Sequence, residues 1–199
     1  QIDQDPPMPQ GNGNLASDGV RVYRYDVLNR LVFVYKIVTS VDDTVLLASY
    51  AYDAMNRRVQ KVVADLGGGL GGLTGDIPAG TTTYHYDGQQ IIQEDFVPST
   101  GSANYSKFNF WGSYIDELLF FTKQTSSTTT TYRVLSDLLY CSTAIVTTSN
   151  VIHEAYDCDA YGNTLCYSGA GTDGQWFTND DVTTNNPIPD ELKRMDAAT

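Results

Sequence analysis

The stretch from Gly19 to Ile37 predicts two β-strands around a short polar break. Val20 and Val22 alternate with polar residues before Asp26, and a run of β-branched and aromatic residues begins at Leu31. Such residues favour a pleated, half-buried surface, and two of these runs around a few polar residues are typical of a β-hairpin. The pattern therefore predicts a hairpin that turns just after Asp26.

The motif Tyr-x-Tyr-Asp, called the repeat phrase below, recurs along the chain, and its later copies match the first less closely. An internal repeat indicates that a fold is built by stacking one small unit whose face cannot be buried alone. The fold class that follows is all-β, with stacked antiparallel β-hairpins that form a curved or spiralling sheet. The repeat positions are Tyr23, Tyr25, Asp26 and Asn29, then Tyr50, Tyr52, Asp53 and Asn56, then Tyr84, Tyr86 and Asp87, and last Asp159 and Gly162.

The polar break has its own chemistry. The carboxylate of Asp26 can accept hydrogen bonds from the backbone ahead of it, and the residue three positions later has to adopt a left-handed conformation. Asn29, Asn56 and Gly162 occupy that position, and Asn and Gly are the residues that tolerate positive φ.

The tyrosines of each phrase are two positions apart, so they lie on one face of their strand. Stacked hairpins would then align tyrosines from successive units into aromatic ladders. We expect Tyr25, Tyr52 and Tyr86 to pack in register between neighbouring hairpins.

Composition divides the chain into three parts. Residues 1–18 form an extended arm rich in Pro, Gly and Asn, residues 19–182 form the β domain, and residues 183–199 form a tail. The tail contains the only predicted helix, a short one at residues 189–194. The Thr-rich run at residues 125–131 is predicted as either an edge strand or a solvated connection.

At the repeat phrases the chain resembles the Rhs/YD-repeat family, whose unit is Tyr-x-Tyr-Asp-x-x-Asn/Gly-Arg. Residues 83–88 resemble the degenerate repeat that precedes the Rhs-associated core of this family, and residues 110–119 and 132–163 resemble the core itself. Residues 174–182 resemble an insertion found in some bacterial members. The resemblance covers about residues 19–182 and implies a shell-forming β-structure.

One departure from the family limits what the resemblance implies. Toxin-carrying members end in a shell-closing segment followed by an Asp-Pro self-cleavage site, and nothing after Val182 matches either. The single Asp-Pro pair, Asp5-Pro6, lies at the other end of the sequence. Autoproteolysis and an attached toxin are therefore not expected of this sequence.

Charge narrows the classes of partner. The chain of 199 residues has 24 acidic and 12 basic residues, which gives a formal charge of −12. This balance argues against binding nucleic acid, because phosphates require stripes of Lys and Arg. It also argues against anionic membrane surfaces, and no apolar run approaches the roughly 20 residues of a transmembrane helix. These properties favour a secreted, extracellular or cell-surface protein.

Residues with catalytic or ligand chemistry are few. His85 and His153 have no motif partner, and no nucleophile elbow, zinc spacing or nucleotide fingerprint is present, so we expect no enzymatic activity. Asp173, Asp180 and Asp181 surround a turn and supply the hard oxygen ligands that calcium prefers. They lack EF-hand spacing, so the alternatives are a calcium site and a plain polar turn with no cofactor.

The pairing of the three cysteines, Cys141, Cys158 and Cys166, stays open. If the last hairpin turns at residues 160–163, Cys158 faces a neighbour near Leu165, which argues against a disulfide between Cys158 and Cys166. A disulfide from Cys141 to one of the other two would leave one free thiol, and a small buried hydrophobe is the simpler interpretation.

Two functional hypotheses remain. In the first, the chain is a non-enzymatic structural subunit that associates with itself through exposed strand edges, as a homo-oligomer or a filament. In the second, it is a fragment of a larger Rhs-type shell or surface adhesin that binds glycan or protein partners or encloses a toxin. A long upstream run of repeats would favour the second hypothesis.

Overall fold

The computed structural model describes residues 13–66, 78–101, 103–114, 117–137, 142–158 and 164–184. The expected tail helix, most of the arm, Cys141, Asp159 and Gly162 lie outside these residues. Within them, every regular element is a β-strand, and no helix is long and apolar enough to cross a bilayer.

Thirteen strands follow one another in the described part of the chain, and the first four carry the two clearest repeat phrases. The strands are β1 (Arg21–Tyr25), β2 (Leu31–Ser40), β3 (Asp43–Tyr52), β4 (Arg58–Val63), β5 (Gly80–Asp87), β6 (Gln90–Pro98), β7 (Tyr105–Trp111), β8 (Leu118–Thr125), β9 (Thr129–Ser136), β10 (Ser142–Thr147), β11 (Ile152–Cys158), β12 (Thr164–Gly169) and β13 (Val182–Thr184).

The strands pair in chain order, from β1 to β13, without a crossover. The first repeat phrase forms the antiparallel pair of β1 and β2, and the second forms that of β3 and β4. The all-β prediction of successive antiparallel hairpins is confirmed. Short polar breaks between hydrophobic runs make this order favourable, because consecutive strands pair most readily when the connection is short.

The Thr-rich run at residues 125–131 is neither an edge strand nor a connection alone. β8 ends at Thr125 and β9 begins at Thr129, and the two strands pair antiparallel. Thr125 closes the turn, because its backbone N–H donates to the carbonyl of Thr128 at 2.8 Å. The run is a hairpin inside the strand order, and its β-branched residues account for the strand on one side of the turn.

The chain divides into two compact units, Gln1–Thr83 with Val97–Ser102, and Tyr84–Phe96 with Ala103–Thr199. In the first unit a row of paired residues runs from β1 to β5. Residues directly opposite one another share a face, so the row shows which side chains line one side of this unit. Its members are Tyr23, Val34, Ala48, Val63 and Gly80.

The second unit has a hydrophobic cluster to which each strand from β8 to β12 contributes. Val134 pairs with Ile145, and Tyr156 pairs with Cys166, so the cluster lies along one face of these strands. Phe121 and Ile145 are completely buried. The buried members are Leu118, Phe121, Val134, Ile145, Tyr156 and Cys166, with Trp111 and Tyr132 packed against them.

A buried ion pair adjoins this cluster. Lys107 of β7 and Glu94 of β6 are cross-strand partners, and both side chains are at most 1% exposed. The Lys107 Nζ lies 3.8 Å from Glu94 Oε1 and 4.5 Å from the centre of the Phe121 ring. Asn109 Nδ2 donates to the Ile91 carbonyl at 3.0 Å and contacts the same glutamate oxygen at 3.4 Å. Two opposite charges therefore share a site from which water is excluded.

The cysteines are described in part. Cys166 is buried within the hydrophobic cluster, which agrees with its interpretation as a small hydrophobe. In the β11–β12 pair the partner of Cys166 is Tyr156, and that of Cys158 is Thr164. Cys158 is thus one position from the expected pairing with Leu165, and the backbone register places it opposite a residue other than Cys166.

Candidate functional site: repeat turns and the acidic loop

Asp26 closes the first repeat turn with its backbone and its carboxylate. Its N–H donates to the Arg30 carbonyl at 2.9 Å, and its carbonyl accepts from the Asn29 N–H at 3.0 Å. Its Oδ1 accepts from the backbone N–H groups of Leu28 at 2.9 Å and Arg30 at 3.0 Å. Asn29 has φ of 62°, so the predicted left-handed residue is confirmed.

The second repeat turn reproduces this geometry. The Asp53 N–H donates to the Arg57 carbonyl at 2.9 Å, and the Asn56 N–H donates to the Asp53 carbonyl at 3.2 Å. Asp53 Oδ1 accepts from the N–H groups of Met55 at 2.8 Å and Arg57 at 3.0 Å. Asn56 has φ of 64°, which again confirms the prediction. Two separate segments of the chain thus form turns of the same type.

An arginine completes each turn. Arg30 Nε donates to Asp26 Oδ2 at 2.6 Å, and Arg57 Nε donates to Asp53 Oδ2 at 2.8 Å. Desolvation alone would raise the pKa of each carboxyl, but hydrogen bonds from the arginine that follows it and from the turn backbone lower both pKa values. The arginine belongs to the repeat phrase, but no role for it was predicted from the sequence. The signal was its constant spacing, four residues after the aspartate.

Arg30 also joins the first turn to the second. Its Nη1 donates to the Asp53 carbonyl at 3.3 Å and to Asn56 Oδ1 at 3.1 Å. The left-handed asparagine therefore does more than reverse the chain, because its side chain accepts from the arginine of the preceding turn. Successive hairpins of the first unit are linked by strand pairing and by this contact between turns.

The second unit contains the same kind of contact at a turn that the sequence analysis did not identify. Asn150 has φ of 59°, and Thr147 closes the turn in the place of the aspartate, with its N–H donating to the Val151 carbonyl at 2.9 Å. Arg133 Nη1 donates to Asn150 Oδ1 at 3.0 Å. The signal in the sequence was an asparagine three residues after a residue that can accept through its side chain.

Arginine guanidinium groups stack on the repeat tyrosines of the first unit. The Arg58 guanidinium lies 4.6 Å from the centre of the Tyr50 ring and 6.0 Å from that of Tyr52, and Arg30 lies 5.0 Å from the Tyr52 ring. Burial, as the largest cause, raises the pKa of Tyr50. Cation–π contacts thus stabilise this face. Alignment of Tyr25, Tyr52 and Tyr86 stays a prediction, because Tyr86 belongs to the second unit.

The third and fourth phrases are described only partly. Tyr84 is buried, Tyr86 is half-buried and Asp87 is exposed at the end of β5. Gly88 follows with φ of 60°, so a glycine supplies the left-handed residue in this shorter turn. The fourth phrase runs along β11 and leads into β12 as predicted, while its turn residues Asp159 and Gly162 lie outside the described part of the chain.

Asp173, Asp180 and Asp181 come together as the sequence predicted, with one carboxylate oxygen of each within 4.8 Å of the others. Asp180 Oδ2 accepts from the Thr172 N–H and hydroxyl, each at 2.7 Å, and Asp181 Oδ2 accepts from the Thr178 N–H at 2.9 Å. Hydrogen bonds from the Thr172 and Thr178 hydroxyls, the largest causes, lower the pKa of Asp180 well below its usual range.

In this acidic loop, residues 170–181, the carboxylates thus accept hydrogen bonds from the loop's own backbone and hydroxyl groups. Calcium takes about 6–8 oxygen ligands, and the oxygens of Asp180 already accept from backbone and hydroxyl donors. Gly171 is required at its position, because a Cβ there would lie 2.6 Å from atoms of Asp180. The geometry accounts for the cluster as a polar turn, and calcium binding stays a prediction.

A histidine, an aspartate and a serine also meet in the second unit. His85 Nε2 lies 2.9 Å from Asp95 Oδ2, and the Ser106 hydroxyl donates to Asp95 Oδ1 at 2.5 Å. The sequence analysis gave His85 no partner. In this arrangement the serine donates to the carboxylate and not to the imidazole, so the nucleophile–base contact of a hydrolase is not made within this cluster.

Solved structures of Tc toxin chains share the fold. The crystal structure of TcdB2-TccC3-TEV matches with a TM-score of 0.56 and 12% identity over 73% of this chain and 7% of that chain. The Photorhabdus luminescens Tc holotoxin pore with a mutation in TccC3 matches with a TM-score of 0.55 and 13% identity over 73% of this chain and 6% of that chain. TcdB2-TccC3 without its hypervariable C-terminal region matches with a TM-score of 0.53 and 13% identity over 73% and 7%.

No family model and no curated protein sequence matches the chain. At these identities the likeness to the toxin structures establishes a common fold alone. The chain spans less than a tenth of the length of the chains that it matches. The consecutive β-hairpins of this protein therefore occur as a small part of much larger Tc toxin chains.

Proposed function

We propose that this chain is a wall segment of a larger Rhs-type shell, built from consecutive β-hairpins and without enzymatic activity. The observation that carries the proposal is the fold match, which covers 73% of this chain but only 7% of the TcdB2-TccC3-TEV chain. The repeated Asp-x-x-Asn-Arg turn supports it, because the contact from Arg30 to the next turn is a device that further hairpins can continue.

The proposed location of the protein is outside the cell or on its surface, and its proposed partners follow from that role. A shell that encloses a toxin, or an adhesin wall that binds glycan or protein, is placed outside the cell or on its surface. The wall requires no cofactor, since hydrogen bonds within the protein already satisfy the carboxylates that close its turns. Its partners are other hairpins, together with a protein or glycan that meets the exposed loops.

The size of the native protein tests the proposal. An antibody raised against the folded chain, used on material from the natural source, should detect a protein much heavier than 21.9 kDa on a denaturing gel. The same material, purified and imaged by electron microscopy, should show closed hollow particles.

The opposite result would support the other hypothesis, a self-associating subunit. A native polypeptide near 21.9 kDa that assembles into filaments would contradict the proposal of a wall segment and support the hypothesis of a filament subunit. A native polypeptide of that mass that stays monomeric at all concentrations would contradict both.

A further inference from the structure

Residues 14–18, the end of the arm, lie along the outer edge of β1, opposite the edge that pairs with β2. The Tyr23 N–H donates to the Ala16 carbonyl at 2.9 Å, and Ser17 forms an isolated antiparallel bridge with Val22. The Tyr25 hydroxyl donates to the Leu15 carbonyl at 3.1 Å. An edge strand that would otherwise offer its N–H and C=O groups to another chain is thus covered by the protein itself.

Asp18 fastens this segment. Its Oδ1 accepts from the N–H groups of Val20 at 2.9 Å and Arg21 at 2.6 Å, and its Oδ2 accepts from the Tyr23 hydroxyl at 2.8 Å. The backbone hydrogen bond from Arg21, the largest cause, helps to lower the pKa of Asp18 to about 2. The Asp18 carboxylate therefore adds to the backbone contacts that hold the segment against β1.

The covered edge has a counterpart elsewhere in the first unit. β3 carries the same Tyr-x-Tyr-Asp phrase as β1, and the strand at its corresponding edge is β2, which is preceded by Arg30. Arg30 Nη1 donates to Asn56 Oδ1 at 3.1 Å. On β1 the equivalent acceptor is Asn29 Oδ1, and it accepts from Asn14 Nδ2 at 3.1 Å. Residues 14–18 thus occupy on β1 the position that β2 occupies on β3.

We propose that residues 14–18 are a displaceable cap, and that the edge beneath them is a docking site for an antiparallel β-strand that begins with an arginine. The backbone of the cap pairs with β1 at one isolated bridge, whereas β2 and β3 are joined at six paired positions. A full strand therefore gains backbone hydrogen bonds that the cap does not make, and its arginine replaces Asn14 at Asn29. In the second turn Arg30 Nη1 also donates to the Asp53 carbonyl, and the counterpart of that acceptor in the first turn is the Asp26 carbonyl.

This inference deepens the proposed function, on which it rests for the nature of the occupant, a further hairpin of the same kind. The cap then regulates the joining of wall segments, because only the uncapped fraction of the protein can bind. Failure of strand docking would leave the size of the native protein unaffected, so the two ideas fail separately.

The test uses the full chain and a fluorescent peptide with the sequence of residues 30–37, which is the strand that occupies the equivalent edge of β3. Binding is followed by fluorescence anisotropy. The substitution Asp18→Ala removes the four hydrogen bonds that the Asp18 carboxylate accepts. It should tighten peptide binding by about tenfold or more relative to the unmodified chain. Asp42→Ala, in the turn between β2 and β3, is the matched control and should leave binding unchanged.

Two further reagents make the outcome decisive. Ser17→Cys with Val22→Cys places a disulfide across the bridge, at a non-hydrogen-bonded pair whose geometry suits one, and should abolish binding until it is reduced. A peptide with Arg30→Ala should bind more weakly to the Asp18→Ala protein. Equal binding to the locked and unlocked proteins, no binding to the Asp18→Ala protein, or no effect of the peptide arginine would each overturn the proposal.

Discussion

Each repeat turn depends on an asparagine in a backbone conformation that most residues avoid. Asn29 and Asn56 have φ of 62° and 64°, and their side-chain oxygens accept hydrogen bonds from Asn14 and Arg30. The conformation could be predicted from the spacing after the aspartate, because few residue types tolerate it. The contact with Arg30 could not, since it joins residues 26 positions apart whose proximity depends on how the hairpins pair.

Substitution of Asn56 separates these two roles. Asn56→Val should lower the free energy of unfolding by about 1 kcal/mol or more, because a β-branched residue is strained at positive φ and cannot accept from Arg30. Asn56→Gly keeps the conformation and loses only the acceptor, so its effect should be smaller. Thermal or denaturant unfolding measures both, and equal losses for the two variants would contradict the assignment of strain.

Acid should weaken the turns in a defined range of pH. Hydrogen bonds lower the pKa of Asp18 to about 2 from its ordinary value of 3.8, and those in the repeat turns lower the pKa of Asp26 and Asp53. A carboxyl with a depressed folded-state pKa contributes stability that is fully present above its ordinary pKa and is lost as the pH falls through the folded value. The denaturation midpoint should therefore fall steeply below about pH 4.

The variant Asp53→Asn tests the source of this dependence. It keeps an acceptor oxygen for the turn backbone but cannot be ionised, so its stability should change less with pH below about pH 4 than that of the unmodified chain. Asp42→Asn, outside the repeat turns, is the control. If the two variants show the same pH dependence, the turn carboxylates are not responsible.

At the scale of the element, alternating hydrophobic residues and polar breaks predicted the hairpins of β1 with β2 and of β3 with β4. The turn at Asn150 was missed because a threonine stands where the repeat has aspartate, and the hairpin at Thr125 was missed because threonine suits strands and turns alike. The buried Lys107–Glu94 pair was not predicted. In a strand whose side chains alternate between two faces, a lysine is expected on the face exposed to solvent.

Removing one partner of the Lys107–Glu94 pair should lower the free energy of unfolding strongly, whereas replacing both partners with apolar residues should lower it little. Lys107→Met leaves the Glu94 carboxylate buried without its cation and should destabilise by about 3–5 kcal/mol. Adding Glu94→Met removes the unpaired charge and should restore most of that loss. Denaturant unfolding of both single variants and the double variant measures the coupling. If the two losses simply add, the side chains do not act as a buried pair.

At the scale of the whole molecule, the chain is a series of hairpins whose strands pair in the order of the sequence. The repeat made this order predictable, since similar repeat units are expected to pack against equivalent neighbours. The division into two compact units was not predicted: one boundary falls between Thr83 and Tyr84, inside β5 and at the start of the third repeat phrase. The Tc toxin structures share this fold over most of the chain.

Nuclear magnetic resonance of the first unit's strands tests the central claim, that successive hairpins tile in chain order and register. Cross-strand contacts between backbone protons should connect Tyr23 with Val34, Val34 with Ala48, and Ala48 with Val63. Their observation in the full chain would establish the row that crosses both repeats. Contacts shifted along the strands, or contacts that join β1 directly to β4, would contradict the account.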